Sequence, residues 1–225
     1  MSEVTLETPI YFGQFGEYTI TDRDRREVIF YRSTLTIAAV CFAIGSGLAL
    51  WQGANPIVQQ AIALLYGGFC LSLGVSLFFI HIYMAPLHRL LQVFWLVGTV
   101  AAVDMAWQQS EPLVAYIYNH PQSLWAIGFL FAALTGIYFK EAFCFDRLET
   151  KFLTPLVPLL LVGHLTGLMP VVGEQILLAV WAILFLVFAA RKWQQDLSAD
   201  IGDKSVFEYL RGEREESVTS FRIGD

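Results

Sequence analysis

Phe139-Lys140-Glu141-Ala142-Phe143-Cys144-Phe145-Asp146-Arg147 lies between two long apolar runs and holds the densest polar chemistry at any hydrophobic boundary of the chain. Continued as a helix, it puts Lys140, Cys144 and Arg147 on one face at i, i+4 and i+7, with Glu141 on the flank. Two readings compete. A thiol between two cations favours its thiolate, the reactive form. Cations at the end of an apolar run also mark a membrane–water boundary, where their stems lie along lipid, and a cysteine there is a small hydrophobe. The boundary reading is preferred, and it decides the fold: the runs on either side are membrane spans.

Outward from this stretch, six apolar runs are found: 33–51, 61–83, 87–107, 124–139, 152–169 and 175–190. Their lengths fit the roughly 17–25 residues that cross a hydrocarbon core as a helix. The fourth is short unless its helix continues past Lys140 to about Phe145 and turns within 146–151. Asn55-Pro56, Ala85-Pro86, Glu111-Pro112, His120-Pro121 and Pro170 mark the breaks, as proline does at helix starts. The expected class is all-α: a polytopic membrane protein with a bundle of six transmembrane helices over 33–190.

Charge gives the orientation. The 14 Lys and Arg residues fall in the N-tail (Arg23, Arg25, Arg26, Arg32), the second connection (Arg89), the fourth (Lys140, Arg147, Lys151) and the C-tail, and none falls in the first, third or fifth connection. With an even number of spans, this places both termini on the cytoplasmic side. Residues 1–32 form a polar N-tail in which Tyr11-Phe12-Gly13-Gln14-Phe15-Gly16 suits a turn or a short extended piece. A juxtamembrane helix then starts near Thr21 and Asp24 and runs into the first span. Residues 191–225 form a polar C-tail, in which Asp203 caps a short helix through Arg211 and the acidic end frays. No secretory signal is read ahead of the first span.

Composition agrees. Of 225 residues, 56% are hydrophobic and only 15% charged, against about 25% charged in soluble domains. Mean hydropathy is +0.56. A net charge of −6 gives no basic field for nucleic acid. Cys41, Cys70 and Cys144 are far apart and form no metal-ligand or disulfide framework. Small pairs, Gly163/Gly167 above all, with Ala43/Gly47 and Gly68/Ser72, allow close helix packing in lipid.

Ionisable groups at membrane depth are the functional candidates. Asp104 and His164 lie roughly 20 Å and 18 Å from the inner ends of the third and fifth spans, at 1.5 Å per residue. Matching depth allows an Asp104–His164 contact, in which a carboxylate orients an imidazole for proton transfer or for ligating a metal or pigment. The plainer alternative leaves Asp104 at the wet interface and His164 on a backbone carbonyl. At the inner boundary, His81, His88, Glu141 and Cys144 could together hold a metal, but no two show diagnostic ligand spacing. Glu141 needs a partner there, with Arg89, His88 or Lys151 as the expected ones. Which cofactor, if any, these residues hold is left open. No catalytic motif is found.

Gly13–Arg32 (GQFGEYTITDRDRREVIFYR), CFAIG at 41–45 and FKEAFCF at 139–145 resemble an uncharacterised integral membrane protein family of cyanobacteria and plastids. The resemblance covers about Tyr11 to Trp193. It implies a setting, the plasma or thylakoid membrane of a photosynthetic bacterium, but no activity and no site residue. The expected function is a non-enzymatic accessory or assembly factor in that membrane, with the lipid bilayer and a larger membrane complex as partners. The alternatives are a cofactor- or metal-binding redox protein and a carrier of small solutes or ions.

Overall fold

A computed structural model describes residues 9–210 and Gly212. Among the described residues, six helices are long and apolar enough to cross a membrane. The first, α1 (Asp22–Gln52), begins at a complete capping box, in which Thr21 and Asp24 each accept from the other's backbone N–H. Its 31 residues reach about 46 Å, beyond the roughly 30 Å hydrocarbon core, so the juxtamembrane helix and first span are one rod. Next come α2 (Pro56–Phe79) and α3 (Ala85–Gln108), both with proline in the first turn. The second span ends four residues earlier than expected, because the backbone turns extended at Ile80.

A seven-residue helix, α4 (Leu113–Asn119), and a 3-10 turn (Pro121–Ser123) fill the third connection, where the flanking prolines signal only breaks. The stretch that decided the fold behaves as expected. Helix α5 (Leu124–Phe145) continues past Lys140 and stops where Asp146 takes a left-handed conformation. Then α6 (Leu148–Thr166) runs out and α7 (Val171–Lys192) returns. Gly167 closes α6 at φ 66°, and a Cβ on Gly163 would clash with Met169 of the following turn. These two glycines therefore shape a hairpin, correcting the expected helix-packing pair.

The spans form a ring in chain order: α1 on α2, α2 on α3, α3 on α5, α5 on α6, α6 on α7, and α7 back on α1. The α3–α5 contact is close, since a Cβ on Gly98 would overlap the backbone of Leu130. Trp181, Tyr138, Phe185 and Phe188 fill the interior, and the Trp181 indole donates to Tyr138 Oη at 3.2 Å.

At the end of the ring that carries both tails, β1 (Ile10–Phe12) and β2 (Glu17–Thr19) form an antiparallel hairpin. The C-terminal segment holds it down through α8 (Leu197–Ile201) and a helical piece over 204–210. Asp203 takes the expected capping role, accepting from Ser205 N–H at 2.9 Å, and it also accepts from Gln14 N–H at 2.6 Å. Ile20, Val28 and Ile201 seal the joint. The expected frayed end of the C-tail lies outside the described residues.

Candidate functional site

Two polar constellations stand out at opposite ends of the ring. The first lies under the tails. The Glu141 side chain is fully buried and receives Lys140 Nζ at 3.0 Å, Lys192 Nζ at 2.8 Å and the Tyr31 hydroxyl at 3.3 Å. The Lys192 contact is an ion pair outside hydrogen-bond geometry. Lys192, itself fully buried, also pairs with Asp200 and lies over the Phe145 ring at 4.7 Å. Arg32 completes the chain, 2.6 Å from Asp200 and donating to Asp196 C=O at 3.0 Å. Gln195 Oε1 accepts from both Lys192, at 3.4 Å, and Arg147, at 2.7 Å, and Glu149 pairs with Arg147 and Arg191 beyond it. One network therefore joins α1, α5, α6, α7 and α8. Charges taken out of water cost several kcal/mol each unless paired, and here each carboxylate has at least two cations. Its chemistry is that of a clamp on the helix ends.

The second constellation lies in the half of the ring away from the tails. A cavity of about 580 Å³ runs between α1, α2, α5, α6 and α7 and is bounded by α4 on the connection side. Its deep end is aromatic, with Phe42, Phe69, Phe131 and Trp181 in mutual contact. Near its outer end, His164 Nδ1 lies 2.9 Å from Glu174 Oε1, and Tyr118 stacks on the imidazole at 5.2 Å. His164 Nε2 is buried and has no hydrogen-bond partner in the protein. A carboxylate at Nδ1 fixes the tautomer and leaves Nε2 for a ligand. A mostly apolar concavity with a few convergent polar groups is the usual form of a small-molecule site.

The arrangement corrects several expectations. A carboxylate does orient His164, but it is Glu174, across the α6–α7 turn; Asp104 faces outward and accepts from Gln108 at 2.6 Å. The helix α3 that carries Asp104 packs on α2 and α5, while α6 packs on α5 and α7. Glu141 is held by Lys140, Lys192 and Tyr31 rather than by Arg89, His88 or Lys151; Lys151 pairs with Asp146 instead. His81, His88, Glu141 and Cys144 are not gathered, and the described residues contain no cluster of three metal-ligating side chains. His88 Nε2 bonds Leu77 C=O at 2.6 Å. His81 sits 3.7 Å from Glu27. Burial pushes its imidazole below the ordinary histidine range, against the upward pull of the Glu27 and Asp24 carboxylates. Cys144 is exposed, and the cations expected beside it turn to carboxylates, Lys140 to Glu141 and Arg147 to Glu149.

The residues missed from the sequence are Glu174, Lys192, Asp200, Arg32 and Glu149. Each is a charge at the end of a span or in a tail, where solvation is the default reading. Glu174 alone left a local signal. It follows the Pro170 break by one turn, as His164 precedes Gly167 by three residues, so a tight hairpin must oppose them.

Residues 75–209 match the family described as uncharacterized integral membrane protein (DUF2301). A Haemophilus influenzae protein, described as an uncharacterized protein, is 28% identical over 185 residues, which covers 82% of this chain and 92% of that relative. No solved structure matches the chain.

Proposed function

The chain belongs to this family of uncharacterized integral membrane proteins, and from that premise we propose that it is a non-enzymatic binding protein of its membrane, holding one small apolar molecule inside the ring. The observation that carries this reading is the cavity of about 580 Å³ with the His164–Glu174 pair near its outer end. Its volume falls within the usual 300–1,000 Å³ of small-molecule sites. Both tails face the cytoplasm, a reading supported by the confinement of Lys and Arg to alternate connections. The cavity then lies in the half of the bilayer away from the cytoplasm. The relative in Haemophilus influenzae lies outside cyanobacteria and plastids, which favours a plasma membrane over a thylakoid. An accessory role in a larger complex follows if the bound molecule serves that complex.

The test is gentle detergent purification, followed by solvent extraction, mass spectrometry and a visible spectrum. Ala49 lines the cavity, so Ala49→Phe should put a ring into it. An apolar molecule near one per chain is expected from the wild type and is depleted in the variant. Visible absorption would identify it as a pigment, and co-purified subunits would carry the accessory role. Equal recovery from both proteins would mean bulk lipid and would overturn the reading.

A further inference from the structure

We infer that the molecule held in this cavity carries a hydroxyl head, read by His164, on a long apolar body that reaches the aromatic floor. The inference rests on the binding reading above and specifies its ligand.

Shape comes first. Along α1 the lining runs from Leu50 to Cys41, about 14 Å of helix axis, and along α7 from Val171 to Trp181, about 15 Å. A volume of about 580 Å³ spread over that depth is a slot, suited to a slender molecule lying along the bundle. Polarity is graded along it. His164, Glu174, Asn119 and Gln175 line the outer part, while Phe42, Phe69, Phe131, Leu160 and Trp181 close the inner part. An amphiphile with its head outward matches that gradient and the bilayer's own polarity.

The head follows from proton placement. An ionised Glu174 only accepts, so His164 Nδ1 donates to it across 2.9 Å. The buried Nε2 is then a lone-pair acceptor when the ring is neutral, or a donor when it is charged. A hydroxyl satisfies either state, because it both donates and accepts. A carbonyl or ether oxygen satisfies only the charged ring. A carboxylate or phosphate head would meet the Glu174 carboxylate. Tyr118, stacked on the imidazole, fixes the ring plane, so the acceptor direction is set before the ligand arrives.

The test uses the full chain in detergent at about pH 8. The probes are a long-chain alcohol brominated at its far end, its methyl ether and the matching amine. Bromine at the floor quenches Trp181, read as the difference between the wild type and Trp181→Phe. The alcohol is expected to bind about tenfold or more tightly than the ether, as for a site left with an unpaired polar group. With His164→Phe, alcohol and ether should bind alike. Equal binding of alcohol and ether to the wild type, or tightest binding of the amine, would overturn the hydroxyl assignment and leave the slot. No Trp181-dependent quenching by any probe would overturn the slot itself.

Discussion

Glu141 Oε2 and Lys192 Nζ lie 2.8 Å apart on α5 and α7, and solvent reaches neither side chain. Breaking such a pair by removing one charge leaves the other buried, which costs about 3–5 kcal/mol. Glu141→Gln should therefore lower the unfolding temperature and reduce membrane abundance. Cys144, exposed three residues on, should tolerate alanine within about 0.5 kcal/mol. Abundance and thermal unfolding of the two variants check this; a stable, abundant Glu141→Gln protein would remove the structural role given to the clamp.

Lys192 serves Glu141 and Asp200 together. Lys192→Met should thus be costly alone, and less costly when Glu141→Leu removes one stranded carboxylate. A double-mutant cycle in detergent should show coupling of at least about 1 kcal/mol. Additive effects would mean that the charges are screened independently.

The spans were legible because each boundary carries its own local signal, a proline before the helix or a cation at its end. Continuation of α5 to Phe145 was legible for the same reason: apolar residues beyond Lys140 make up the missing length. Partners were not legible. Lys192 meets Glu141 only because the ring closes, and hydropathy gives the face of a helix but not its neighbours. Depth counting matched Asp104 to His164, since depth was the coordinate the sequence supplied. The carboxylate that meets His164 is Glu174, across the α6–α7 turn.

Asp203 ties the hairpin to the C-terminal segment. Hydrogen bonds from Ser205, then from Gln14, hold its carboxyl below the ordinary aspartate range. A depressed value in the folded chain means that the tie is fully present above the ordinary value and is lost as pH falls through the depressed one. Hydrogen exchange at Gln14 and Phe15 should be slow at neutral pH in the wild type, and fast in Asp203→Ala. Equal exchange in both proteins would show that the hairpin is held by its apolar contacts alone.

Sidedness has its own test. Reporter fusions after Lys192 and within 112–121 should report opposite faces of the membrane, the first in the cytoplasm. Both on one face would refute the topology, and the reverse assignment would refute the orientation.

The cavity itself is tested most directly by native mass spectrometry of the chain released from its detergent. The wild type should retain one small molecule per chain, and Ala49→Phe, with its added ring in the slot, should fly bare. A wild-type chain that also flies bare under conditions that keep the fold intact would contradict the claim that this protein exists to hold a ligand.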